Sequence, residues 1–217
     1  MKNQNNNNNM MGAGIAIGTG IGVALGSAMD HMGAGLGMGI AIGAAIGMIM
    51  GKKKNKKNDD KLVMERLRKH LVNSLKGGQA FVPIEKAINN ISRAVRNKKP
   101  DENLHSIWEE LEHMRIAQED ILQYMINSEW QSPEWPEGYW PTPTANLANE
   151  KWDKTYSGFM QDFIKIVDLV NDPKIDLLAI IPHTTEHTYL REITIIIEHN
   201  AYHIGKIMDI RKSLGNW

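Results

Sequence analysis

The chain contains no cysteine, which removes disulfide frameworks, cysteine zinc sites and a protein thiol nucleophile together. It also lacks an excess of either charge. Its 25 basic and 25 acidic residues balance, so no overall field attracts nucleic acid or acidic substrates. The balance is uneven along the chain: six basic residues (Lys2, Lys52, Lys53, Lys54, Lys56, Lys57) and three acidic ones (Asp30, Asp59, Asp60) precede residue 61, leaving −3 beyond it. A mildly acidic remainder argues against phosphate-backbone binding, which needs clustered Lys and Arg, and no nucleic-acid partner is expected. Strong period-two segments are missing too, so a sheet-based fold is not expected. Between Met10 and Met50 charge is absent apart from Asp30.

Glycine fills that uncharged stretch, at every fourth residue: Gly14, Gly18, Gly22 and Gly26, then Gly35, Gly39, Gly43, Gly47 and Gly51. This spacing puts each set on one face of a helix. In water such a helix is poor, because each interior glycine costs about 1 kcal/mol relative to alanine. In lipid the backbone must satisfy itself, and small faces let two helices approach closely. Met10–Met29 and Met32–Met50 are each about 20 residues, or roughly 30 Å of helix, the thickness of a hydrocarbon core. Asp30 and His31 stand where a hairpin would turn. Basic residues flank both sides, Lys2 before and "KKKNKK" after, which puts both ends and the C-terminal domain in the cytoplasm. The expectation for residues 10–51 is a glycine-zipper transmembrane helical hairpin with lipid as its partner. The stretch resembles the glycine-zipper membrane segments of small bacterial proteins, which implies close helix packing and a homo-oligomer formed through the glycine faces. Before it, the polar "MKNQNNNNN" of residues 1–9 reads as a disordered Asn-rich tail. After it, residues 52–60 read as a basic, solvated linker.

Residues 61–217 read as one domain. Asp60 is placed to cap a helix carrying Met64, Leu67, Leu71 and Leu75 and stopped by Gly77 and Gly78. A second follows Asp101, with Leu104, Ile107, Leu111, Met114, Ile121 and Met125 as its apolar stripe. The third carries Trp152, Tyr156, Phe159, Phe163, Ile166 and Val170. The fourth starts near Thr188 and carries Ile196, His199, His203, Ile207, Ile210 and Leu214. Between the first two, a short helix is expected somewhere from Ile84 to Val95. Four amphipathic helices define an all-α, four-helix bundle.

The fourth stripe places two imidazoles one turn apart in "IIIEHNAYHIGKI". A buried imidazole needs partners for its ring nitrogens. His199 and His203 are either half of a Zn²⁺, Ni²⁺ or Mn²⁺ site completed by a facing helix, or two core histidines satisfied locally.

"LHSIWEELEHMRIAQEDILQYM", the loop "EWPEGYWP" and "IPHTTEHTYLREITIIIEHNAYHIGKI" resemble the DinB-like superfamily of bacterial four-helix proteins, which includes YfiT-like thiol transferases. The resemblance spans about residues 61–217 and is most specific in "LEHMRIAQEDIL" and "HNAYHIG". It implies a divalent metal held by His113, His199 and His203 with coordination positions left open. Periodicity alone would not choose His113, which lies off the Leu104–Met125 stripe on a mixed strip with Ile116, Ala117, Asp120 and Tyr124. His105 and His187 remain alternatives for the third ligand. His183 resembles a loop position near the family pocket or is a surface residue, and His70 and His31 read as structural or exposed. Trp130, Trp135, Tyr139 and Trp140 either roof the pocket or pack on the bundle end.

The resemblance further implies transfer of a low-molecular-weight thiol to electrophiles, in detoxification or stress. A metal-dependent hydrolase with Glu112 or Asp120 near the metal is a variant of that reading. A membrane assembly or sensor protein with a metal-stabilised, non-catalytic bundle is the alternative from another class.

Overall fold

The computed structural model describes residues 12–20, 23, 27 and 32–217. The Asn-rich tail and the turn expected at Asp30 and His31 lie outside the described residues. The chain divides into two compact units, Met1–Arg66 and Leu67–Trp217.

In the first unit residues 12–20 are helical, and helix α1 runs Met32–Lys76, so that the boundary between the units falls within it. The glycine faces meet. A Cβ added at Gly14 would lie 2.9 Å from the Cα of Gly47 and nearer still to the Gly43 carbonyl oxygen, and one added at Gly43 would lie 3.0 Å from the Cα of Gly18. Only hydrogen fits between backbones so close. Gly18, Gly43 and Gly47 are buried, whereas Ile17, Ile46 and Ile49 are exposed. Among the described residues no helix is long and apolar enough to cross a membrane. The physical reason is the glycine itself, which packs well but adds little hydrophobicity.

The basic stretch expected as a linker is helical, and α1 does not begin at Asp60. Residues 52–76 contain neither glycine nor proline, so nothing in them breaks a helix already running. Gly77 and Gly78 end α1 at φ of +74° and +87°, a region that glycine enters without a Cβ clash.

In the second unit the segment after α1 holds two short helices, α2 (Ile84–Ile88) and α3 (Arg93–Arg96), in place of a single one. Then come α4 (Ile107–Ile126), a 3₁₀ turn at Glu137–Tyr139, α5 (Asn149–Asn171) and α6 (Tyr189–Ser213). The only pairing of extended backbone among the described residues is one antiparallel bridge between Ile180 and Thr188. α4 begins later than expected. Ser106 caps it in a reciprocal box with Glu109, and Leu104, read as part of the apolar stripe, is 50 % exposed before the cap. α6 begins where expected, with the Thr188 side chain accepting from the Arg191 N–H.

α4 packs against both α5 and α6. Its Trp108 donates to Thr155 on α5 at 3.0 Å. Gln118 donates to the Phe159 carbonyl on α5 at 2.8 Å and accepts from Asn200 on α6 at 3.1 Å, a polar chain through all three helices. The C-terminal part of α1 joins through buried Leu71 and Leu75 and through Arg68, which donates to the carbonyls of Val170 and Ile175. Arg211, buried on α6, donates to the carbonyls of Ala87 and Asn89 and so ties α2 to the bundle.

The glycine contact yields a prediction for the first unit. Gly43→Val opens the 12–20/α1 contact and exposes the segment to limited proteolysis of the full-length protein. Gly20→Ala, where an added Cβ meets nothing within 4 Å, leaves the digestion pattern unchanged.

Candidate metal centre

Burial of α4 on two sides brings His113 against α6. His113 Nε2 lies 3.0 Å from His199 Nε2, and one ligand nitrogen from each of His113, His199 and His203 lies within 4.8 Å of the other two. No other such group of three histidines or carboxylates occurs among the described residues.

The far edges of two rings are fixed. His113 Nδ1 lies 2.7 Å from the Tyr139 carbonyl, which can only accept, so that nitrogen carries the proton and Nε2 the lone pair. His203 Nδ1 lies 2.6 Å from Glu110 Oε2. Glu110 is 1 % exposed, and its other oxygen lies 3.7 Å from Lys206 Nζ. A carboxylate behind a histidine is the usual orienting partner of a metal ligand. Burial lowers the pKa of His113, and burial with the neighbouring His203 and His113 lowers that of His199 to about 3. Both rings are therefore neutral at neutral pH, the form that binds metals.

This donor set fits a divalent ion. Two nitrogens at 2.0–2.1 Å from one tetrahedral ion stand roughly 3.3 Å apart, close to the spacing between His113 and His199. The lone pair of His113 Nε2 points at His199, so either His199 donates a proton there or both lone pairs meet a cation.

Ala117 and Asp120, one and two turns along α4 from His113, line the same cavity as His199 and His203, so the mixed strip faces α6. The cavity measures about 620 Å³. The aromatic loop forms its wall: Trp135, Tyr139 and Trp140 line it, and Trp140 stacks on His113 at 3.9 Å and on His105 at 4.0 Å. Asp120 holds the loop in place, accepting from Trp130 Nε1 at 2.7 Å and from the Tyr139 hydroxyl at 2.6 Å. Burial, with the hydrogen bond to Asp120, pushes the Tyr139 phenol up to about 12.

The other histidines fall elsewhere. His105 lies on the far side of Trp140 from His113, with the indole between the two rings. His187 is within hydrogen-bond distance of the Tyr124 hydroxyl at 2.8 Å. His183 is exposed and donates to the Tyr124 carbonyl at 2.7 Å, and His70 is exposed. Glu112 turns to Arg115, at 2.8 and 3.0 Å. The sequence marks Glu110 only by its place three residues before His113, which puts it on the same side of the helix.

A three-histidine cluster, with two rings buried and one half-buried, lining an apolar cavity inside a helical bundle, defines a class of metal-compatible helical proteins. Residues 83–207 match the profile of the DinB superfamily, and the chain belongs to that superfamily. Residues 4–53 match a profile described as glycine zipper membrane protein. Comparison with curated proteins gives no significant match, and neither does comparison with solved structures.

Asp120→Ala is expected to free the loop without disturbing the helices. Hydrogen exchange of residues 130–140 accelerates by at least about tenfold, the effect of losing hydrogen bonds to a charged group. The amides of α4 between Leu111 and Ala117 keep their protection.

Proposed function

We propose that the protein is a membrane-tethered member of the DinB superfamily that holds a divalent metal ion through His113, His199 and His203 and transfers a low-molecular-weight thiol to an electrophile. The observation that carries this reading is that three imidazole edges converge at a cavity and, among the described residues, no fourth histidine or carboxylate joins the group. Three protein ligands with an open side characterise catalytic sites, whereas structural sites use four. Zn²⁺ and Ni²⁺ suit imidazole donors, and Mn²⁺, which prefers oxygen ligands, would be held the most weakly of the three. When bound, such an ion supplies acidity to a thiol brought against it, which gives the nucleophilic thiolate at neutral pH.

The chain supplies the surroundings. Glu110 and the Tyr139 carbonyl hold two rings with Nε2 inward. Ile121, Ile195 and the indole of Trp140 make the walls largely apolar, which keeps water from competing with the thiol. In the transfer the C–S bond forms as the bond from carbon to its leaving group breaks; the leaving group takes the electron pair, and the thiol proton passes to solvent. The hydrolytic variant has less support. Glu112 is paired with Arg115 and both oxygens of Asp120 are engaged, so neither is free to act as a base.

Tethering is supported by the glycine-zipper match and by the exposed Ile17, Ile46, Met48 and Ile49 of the first unit. The basic residues 52–57 favour a cytoplasmic position for the bundle. Gly14, Gly18, Gly43 and Gly47 approach one another within the chain, which favours, for the assembly-protein alternative, an oligomer that uses other surfaces.

Elemental mass spectrometry of the full-length protein is expected to find about one metal ion per chain, lost in His113→Ala and His199→Ala; no metal after incubation with all three ions would remove the proposal. Glu110→Ala weakens metal affinity by about 10- to 100-fold, the usual loss for an orienting partner. Thiol-dependent turnover of a haloaromatic electrophile disappears in His203→Ala. Carbonate washing leaves the protein in the membrane fraction, and its release would contradict the tether.

A further inference from the structure

Helix α6 turns two neighbouring rows of side chains toward the cavity. One holds His199 and His203. The other holds Glu198, Tyr202 and Lys206 at four-residue steps, on successive turns of one side of the helix, and all three line the cavity. Glu198 and Lys206 are therefore about 12 Å apart along the axis, with the imidazoles between them.

Glu198 carries an unpaired charge, and Lys206, though near Glu110, keeps hydrogen-bond donors to spare. Glu198 is exposed, and among the described residues no hydrogen bond or ion pair holds it. Lys206 Nζ lies 3.7 Å from Glu110 Oε1, too far for a hydrogen bond, so its N–H donors are not consumed there. The ammonium also sits 5.2 Å from the centre of the exposed Tyr202 ring. The remaining charge lining the cavity is Asp120 on α4, and both its oxygens already accept hydrogen bonds. The mouth thus offers an acid at one end, a base at the other and the histidine cluster midway.

We propose that the cavity binds a thiol of peptide length, with an ammonium group at Glu198, a carboxylate at Lys206 and the sulfur between them at the histidines. This rests on the thiol reading above and names the class of thiol. A three-residue peptide spans about 10 Å, enough to reach both charges with a central side chain over the cluster. A single amino acid is too short to touch both ends, and a neutral thiol leaves Glu198 without a partner and Lys206 with Glu110 alone.

The probes are the tripeptide Gly-Cys-Gly and its N-acetylated, C-amidated and doubly blocked forms. Each is titrated calorimetrically into the full-length protein in lipid nanodiscs, metal-loaded and metal-free, with metal content measured on the same sample. Blocking either end is expected to weaken binding about threefold, the scale of a partly exposed ion pair. The effect of N-acetylation vanishes in Glu198→Gln and that of amidation in Lys206→Met, while Glu198→Asp and Lys206→Arg retain both, all at unchanged metal content. Equal binding of the four peptides, binding of none of them in either state, or discrimination that survives both variants overturns the inference. Charge-dependent binding without turnover leaves this site standing and removes the transfer reaction. Turnover with charge-blind binding does the reverse.

Discussion

Because α4 lies between α5 and α6, its polar side chains have little water to turn to, and each must find a partner inside the protein. An unpartnered buried polar group costs a few kcal/mol, about the scale on which a domain's net stability is decided. Glu109 therefore turns back to its cap, Gln118 bridges both neighbouring helices, Glu110 takes His203, and Asp120 takes two side chains of the loop. The solutions to this one problem are also the parts of the site. Glu110 and His203 satisfy each other, and in doing so they fix where the second ring nitrogen points. Asp120 is satisfied by Trp130 and Tyr139, and so the loop sits where its Tyr139 carbonyl can hold His113. Among the described residues the only buried side-chain polar atom with no hydrogen-bond partner is Asn200 Oδ1.

Much of this was legible in the residue pattern, for reasons that also explain the omissions. The helices carrying Phe159–Phe163 and His199–His203 each bury one dominant stripe, and period 3.6 finds a single stripe well. α4 buries two, so its apolar periodicity describes only one face, and His113 on the other was reached through a family resemblance. Glu110 escaped because an acid on a helix ordinarily reads as a solvated face, and only tertiary contact reveals it as the partner of an imidazole 93 residues away. The loop was the hardest case: whether four aromatic residues wall a pocket or pack on a bundle end depends on Asp120, whose position relative to them no local rule supplies. Residues 52–60 are helical for a simpler reason. Their composition matches that of linkers, but the Lys, Asn and Asp they contain do not terminate a helix that enters them.

The two units follow opposite packing logics. In Leu67–Trp217 large apolar side chains lie inside and the interior is filled by Trp108, Phe159 and branched aliphatics. In the described part of the first unit the buried positions are glycines, and isoleucines face outward. Contact there comes from backbone approaching backbone, which yields dispersion and little removal of apolar surface from water. Such a pair has little reason to hold in an aqueous medium, which is why its composition and its outward isoleucines belong together.

The three histidines come from only two helices, and His113 and His199 stand 86 positions apart in the chain. Their convergence is a non-local feature of the fold, since α5 and both connecting loops intervene. Loop closure over that distance must be completed before the rings can meet, so no isolated fragment of α4 or α6 contains the cluster. A ligand that bridges the two helices then acts as a staple across the whole bundle, and local opening of α6 dismantles the site before the rest of the domain has come apart.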